Sequence, residues 1–532
     1  MATSWLEAFG RIKPLPKDLH LSDATSLKRC LSIFDLICYG VGCSVGAGVY
    51  SLIGIGAEIT GASISVSFLV SGIACIFTSL TYSEFAARVP ITGSAYSFVY
   101  VTFGELAAWL IGWNLMLGYG ISAAGIARSW ASYVVIFLQQ FGVQVPAALV
   151  TTNVDGMNCS ALAALLIVVL TLILLAGVHE SAKFNMIVTG LNVAVLLLVI
   201  GVGSFEVDAS NWTPFAPEGF HGIMQGAGVI FFAYLGFDMV ACLAEEVPNP
   251  QTNVPRGIIG SLLISMSIYI GVSLVVTGMA PISVLGTEVP IVNAFEFHKL
   301  SWVSHVVTFG SMFGLTTAAF TCLMGQPRIF YQMSKDGLLP YFLSTVHAST
   351  QVPYWSTILT GAGVAVFAYF FDLNVLANVI SCGTLLVFTY VNAGLLILRY
   401  DCTESSRNIG GVQVTFPMRL LAFVVVSFAA CLALNLHFHW SVQALAVVAV
   451  VFMYLWISHG RAKPMSSTTV FACPWVPFVP CAGIFSNTFM MTSLPLLAWS
   501  GVAMWMGVGL LLYLCFGIHH SKLREKEATP LL

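Results

Sequence analysis

Charge is what this chain has least of. Only 8% of its 532 residues are Asp, Glu, Lys or Arg, against 58% hydrophobic. Soluble domains carry about 25% charged residues, so a water-soluble globule is excluded. Alternating polarity is missing too: the apolar segments are too long and continuous for outer-membrane strands of about 9–11 residues. The 13 cysteines are scattered, without a CxxC pair or a Cys/His cluster. No metal site is therefore expected, and with Cys159 alone placed clearly outside the cytosol, no external disulfide. His437 and His439 (LHFHW) read as loop histidines between spans. No catalytic constellation appears, so neither an enzyme nor a cofactor is expected, and nothing suggests a nucleic-acid partner. The first 30 residues are polar and mixed in charge, which predicts an arm and not a cleaved signal.

What is present is hydrophobic length. At about 20 apolar residues per crossing, about fourteen transmembrane helices are predicted, near 33–57, 62–87, 96–138, 160–178, 182–205, 221–246, 257–282, 303–333, 355–372, 374–398, 417–436, 441–458, 470–491 and 495–517. The fold class is all-α and polytopic, embedded in a lipid bilayer. Span three is long for one crossing and reads as one tilted helix with Gly104 and Gly112 as bends. Span thirteen is studded with prolines (ACPWVPFVPCAG), which softens its boundaries. With the N-terminus in the cytosol, 18 of the 20 Lys and Arg residues fall inside, leaving Arg128 and Lys299 outside, a strong positive-inside asymmetry. Both termini are then cytosolic. The sequons at Asn158 and Asn211 fall in outer loops and are candidate N-glycosylation sites. The tail ends in EATPLL, so Glu527, Leu531 and Leu532 form a candidate acidic dileucine signal for a sorting adaptor.

The first span carries six glycines, at 40, 42, 46, 48, 54 and 56. Each interior Gly costs a helix about 1 kcal/mol relative to Ala. The sixth span repeats the pattern with Gly222, Gly226, Gly228 and Gly236, and adds the carboxylate of Asp238. Interrupted spanning helices point to a transport site at the bilayer midplane. Five spans plus five in opposite orientation form an inverted repeat, here about 33–205 and 221–398 within a ten-helix core at 33–398. Around it lie a cytosolic arm (1–32), a cytosolic loop (399–416), four C-terminal helices (417–518) and a cytosolic tail (519–532). The half-helix after Gly48 would present free N–H groups to a carboxylate. Carbonyls at Ser44, Val45, Phe232, Ala233 and Leu235 would accept from an ammonium. Together they suit an α-amino acid. A competing reading makes the glycines a close-packing face. Asp238 and Glu105 are the acids expected deepest in the membrane, where charge costs about 2.5–3.5 kcal/mol on insertion scales. A cationic substrate side chain or an internal partner such as Arg128 or Arg328 would neutralise them.

Over nearly its whole length the chain resembles the cationic amino acid transporters of the amino acid–polyamine–organocation superfamily. The resemblance rests on GVGCSVGAGVY, YSEFAARVPITGSAYSFVYVTFGELAAWLIGWNL, GVHESAKFNMIVTGLNV, FFAYLGFDMVACLAEEVPNPQTNVPRGI, GQPRIFYQMSKDGLLP, VPFVPCAGIFSNTFMM and FGIHHS. It implies a leucine-transporter-like core with additional C-terminal helices and no cofactor. It also implies that Gly46, Ala47 and Gly48 hold the substrate carboxylate and that Ser44, Phe232 and Leu235 receive the α-ammonium. By the same resemblance the Phe232 ring gates the pocket, with Ala233, Gly236 and Asp238 beside it, and Glu105 matches the glutamate of the GEL motif. Where proton-coupled bacterial relatives place a lysine in span five this chain has Asn192, and where they favour acids in span three it has Asn114 and Gly118. The expected activity is membrane-potential-driven transport of arginine, lysine and ornithine by alternating access. A neutral amino acid or polyamine carrier, proton-coupled or not, and an amino acid sensor are the alternatives. The plasma membrane is the favoured location, with a lysosomal or vacuolar membrane as the alternative.

Overall fold

A computed structural model describes residues 9–14, 29–50, 52–143, 146, 152–154, 157–286, 289–371, 373–400, 407–409, 412–436, 438–460 and 470–524. Among the described residues the fold is helical apart from two small hairpins, Thr152–Val154 with Met157–Cys159 and Arg407–Ile409 with Val412–Val414, and an isolated bridge between Val346 and Pro353. Among the described residues, nine helical runs are long and apolar enough to cross a membrane by length and composition. Three shorter apolar helices, Ile33–Ser44, Ala161–Leu175 and Tyr354–Phe370, fall on the first, fourth and ninth predicted spans. The outer layer is apolar as a bilayer requires. The Trp440–Ser458 helix buries only Ile457 and leaves Leu445, Val448 and Phe452 exposed, a patch that water would not tolerate and lipid does. The chain is a polytopic helical membrane protein.

Both glycine-rich spans are interrupted. The first starts at a capping box, in which Ser32 Oγ accepts from Asp35 N at 3.2 Å and Asp35 Oδ2 accepts from Ser32 N at 2.8 Å. It runs Ile33–Ser44, breaks at Val45–Gly46, and resumes as Ala47–Tyr50 and Leu52–Thr60. The sixth runs Gly219–Ile230, tightens into a 3-10 turn at Phe231–Tyr234, turns through Gly236 at φ +139°, and leaves as a second 3-10 stretch, Met239–Glu246. The two breaks meet. A side chain on Gly48 would sit 2.5 Å from the Ala233 methyl, and one on Gly236 would sit 2.7 Å from Ser44 Oγ. Behind them the long Ser301–Lys335 helix packs against both Ile33–Ser44 and Ser122–Gln140. The close-packing reading of the glycines therefore holds alongside the broken helices.

Span three differs from expectation. Gly104, at φ +98°, separates a short Ala95–Tyr100 helix from the crossing, which starts at Glu105. Gly112 sits inside regular helix, and the distortion falls instead on a π-turn at Leu117–Ile121, where Gly118 and Gly120 lie. In span thirteen the helix is only Phe478–Thr492, with Pro474 and Pro477 left outside it. Residues 9–14 and the Ser521–Arg524 segment come together at one end of the bundle: Lys13 Nζ pairs with Asp336 at 2.5 Å, and Lys522 N donates to Asp336 O at 3.1 Å.

Candidate functional site

Backbone groups released by the two breaks face one another, and side chains from neighbouring spans have claimed several of them. Tyr269, on the Pro250–Met279 helix, directs its hydroxyl at Ser44 O (2.5 Å) and Ala233 O (2.7 Å). Asn192 Nδ2 donates to Val45 O at 2.7 Å, while its Oδ1 accepts from the Tyr50 hydroxyl at 2.5 Å. Tyr133 donates to Tyr50 O at 2.8 Å. Gly46 N donates to Ser44 O at 2.9 Å. Of the carbonyls expected to await an ammonium, Ser44, Val45 and Ala233 thus already have donors. A carbonyl oxygen has two lone pairs, so Val45 O and Ala233 O keep capacity for a second bond, whereas Ser44 O already accepts from both Tyr269 and Gly46 N.

A small cavity lies at the junction, lined by Cys43, Ser44, Gly48, Ser122, Ile126, Leu235 and Cys322. Its volume of about 10 Å³ is on the order of one water molecule, so anything larger must push the two breaks apart. Ser44, Gly48 and Leu235 are anticipated members. Gly46 instead faces Ser301–Lys335, where an added Cβ would lie 2.3 Å from the Ala318 methyl. Ala47 opens the turn after the break and Phe232 lies in the 3-10 turn of span six; the side chains of both, including the expected Phe232 gate, lie outside the described residues. Cys43, Cys322, Ser122 and Ile126 were not anticipated. Cys43 sits beside Ser44 in a motif already singled out, and Ser122 and Ile126 follow the span-three π-turn that Gly118 and Gly120 foreshadow. Cys322 lies in a helix that carries no break to mark it.

Asp238 is fully buried beside this junction but outside the cavity lining. Its Oδ2 accepts from the Tyr119 hydroxyl at 2.9 Å and its Oδ1 from Gly236 N at 3.1 Å. Two other buried acids have arginines, whereas Glu245 accepts from Thr92 N at 3.0 Å. Glu84 is held by Arg88 and Arg399 at 2.7 and 2.6 Å, and Glu246 by Arg328 at 3.0 Å. Arg128 donates to Tyr369 O at 3.2 Å. Among the described residues no base lies within ion-pair distance of Asp238. In span three, Asn114 Nδ2 donates to Gly383 O at 2.6 Å, and Gly118 O accepts from Ser122 Oγ.

Glu105 is not part of this group. It stands at the first turn of its helix, where a carboxylate complements the helix dipole, and its oxygens accept from Tyr100 (3.0 Å), Tyr513 (2.9 Å) and Ser521 (2.5 Å). Arg11 approaches it to 3.9 Å. The structure thus places Glu105 with the two terminal segments, away from the cavity. Asn211 lies in the short Ala209–Trp212 turn, with Nδ2 donating to Gly278 O at 2.8 Å. Asn158 lies in a hairpin strand, paired with Asn153, and its side chain is outside the described residues. Glu527, Leu531, Leu532 and His437 are also outside them.

Comparison with known proteins agrees on a permease family, while the relatives differ in what their names say they carry. A family model described as "Amino acid permease" matches residues 31–458, and one described as "C-terminus of AA_permease" matches residues 471–521. The chain is 38% identical to the methylthioribose transporter of Bacillus subtilis, over 85% of this chain and 95% of that one. It is 36% identical to cationic amino acid transporter 9, chloroplastic, of Arabidopsis thaliana, over 93% and 89%. It is 32% identical to cationic amino acid transporter 4 of Mus musculus, over 99% and 92%.

Proposed function

The chain belongs to the amino acid permease family, among its cationic amino acid transporters, and from that premise we propose that it carries cationic α-amino acids (arginine, lysine and ornithine) across a membrane by alternating access. The amides of Ala47 and Gly48 grip the substrate carboxylate, because the first N–H groups of a resumed helix have no intrahelical partner. The carbonyls of Ser44, Ala233 and Leu235 take the α-ammonium, Ser44 O exchanging one of its two present donors, Tyr269 and Gly46 N, for it. The repeats 33–205 and 221–398 rock against each other around this junction.

The observation that carries the cationic reading is Asp238. It is a buried carboxylate with hydrogen bonds and no base in ion-pair reach among the described residues. Tyr119, its donor, lies one helical turn from the cavity-lining Ser122. Widening the cavity in that direction brings a substrate cation to the acid and removes the cost of an uncompensated buried charge. Asn192 argues for uncoupled transport: both of its polar atoms are engaged, and an amide has no proton to exchange.

One observation favours a second reading. The cavity lining carries no charged side chain, which suits a neutral amino acid. Reconstituted protein offered labelled arginine, lysine, ornithine, leucine and alanine decides between them. Uptake of the first three, lost when Asp238 is replaced by Asn, supports the cationic carrier; uptake of leucine or alanine alone establishes the neutral one. Binding without flux marks a sensor. We place the carrier in the plasma membrane with both termini in the cytosol; a lysosomal or vacuolar membrane is the alternative that imaging of the tagged chain separates.

A further inference from the structure

Three sulfurs line up at the junction of spans one, six and eight. Cys43 Sγ is 3.7 Å from Cys322 Sγ and 3.2 Å from Met239 Sδ. Cys43 belongs to the last turn of Ile33–Ser44 and Cys322 to Ser301–Lys335. Both line the cavity that the proposed transport path must open. The helices carrying them are pinned on either side of the pair. The Tyr39 hydroxyl donates to Thr321 O at 2.8 Å. One turn the other way, Gly46 lies so close to Ala318 that a Cβ would stand 2.3 Å from its methyl.

We propose that Cys43 and Cys322 are a redox-sensitive thiol pair whose oxidation to a disulfide bolts the broken first span to the eighth and stops transport. The separation must close from 3.7 Å to about 2.05 Å. The oxidant is a small peroxide entering by the substrate path. One thiol attacks the O–O bond, giving a sulfenic acid and one molecule of water. The second thiol then displaces that hydroxyl as a second water, forming the S–S bond. Two thiols lose two hydrogens and hydrogen peroxide becomes two waters. Met239, in contact with Cys43, is no partner in the disulfide but keeps the Cys43 sulfur within this cluster. Alternating access needs the broken helix to move against the helix behind it, and a covalent link across that boundary forbids the movement. Substrate in the cavity would shield both sulfurs.

The inference rests on the junction being the transport path, so its test has a readout that does not need transport. Full-length protein in proteoliposomes is treated with hydrogen peroxide, with and without saturating substrate from the uptake panel, and digested for mass spectrometry. The expected result is a Cys43–Cys322 linked peptide, diminished by substrate and removed by dithiothreitol. Uptake by the same preparation should fall about tenfold and recover on reduction, as a covalent block of the rocking motion requires. In C43S, C322S and the double variant, the ratio of uptake after and before peroxide should stay near one, whatever their starting rates. Absence of the linked peptide overturns the pair, whether or not any amino acid is carried. A linked peptide without loss of uptake, or equal loss in the double variant, overturns the lock.

Discussion

Tyr269 aims one hydroxyl at two carbonyls, Ser44 O and Ala233 O, which belong to different broken helices. A hydroxyl has a single proton, so it satisfies one carbonyl at a time and leaves the other to an incoming donor. Tyr269→Phe should destabilise the protein by about 1–3 kcal/mol, the cost of a buried acceptor left unsatisfied, read as a lower thermal midpoint in detergent. Asp238 gives the complementary residue-scale prediction. Asp238→Asn keeps the shape and loses the charge, and a hydrogen bond to a charged group contributes about 1.5–3 kcal/mol. Apparent affinity for arginine should weaken about ten- to hundredfold, with any residual leucine binding unchanged. Equal weakening for both substrates would make Asp238 a structural residue that holds Tyr119 and Gly236.

At the scale of the element, the breaks were legible and the far wall was not. Glycines in spans one and six locate Ser44, Gly48 and Leu235, which do line the cavity. Nothing in the composition of Ser301–Lys335 marks Cys322, and Tyr269 and Asn192 sit in unbroken helices, so their bonds to freed carbonyls depend on tertiary contact alone. Glu105 shows how an apolar neighbourhood misleads. Surrounded by hydrophobic sequence it reads as mid-membrane, yet Gly104 at φ +98° starts the helix there and the acid stands in its first turn. An acid directly after such a glycine is the helix-start signal that was available.

Two tests belong to this scale. Gly46→Ala would force a methyl to 2.3 Å from that of Ala318; overpacking of this kind costs about 1–3 kcal/mol and should lower the thermal midpoint. Glu105→Gln should loosen the arm and tail together, because Arg11 and the Tyr100, Tyr513 and Ser521 hydroxyls all converge on that carboxylate. Faster proteolysis near both ends, with the rest of the chain intact, is the expected reading; faster cleavage at neither end would mean that Asp336 with Lys13 and Lys522 holds them unaided.

For the whole molecule, substrate charge and driving force are one question. One elementary charge moving through 100 mV changes its free energy by about 2.3 kcal/mol, equivalent to roughly fifty-fold accumulation. A carrier of cations at a polarised membrane thus needs no co-ion, in keeping with an amide at position 192 whose polar atoms are both engaged. A neutral substrate would gain nothing from the potential. The most direct measurement is labelled-arginine uptake into proteoliposomes with the membrane potential set by a potassium gradient and valinomycin. Uptake that rises under an inside-negative potential, and accumulates toward about fifty-fold at 100 mV without a proton gradient, is the predicted result. Uptake of arginine, lysine and ornithine that stays at background at every potential, while leucine or alanine enters, would contradict it.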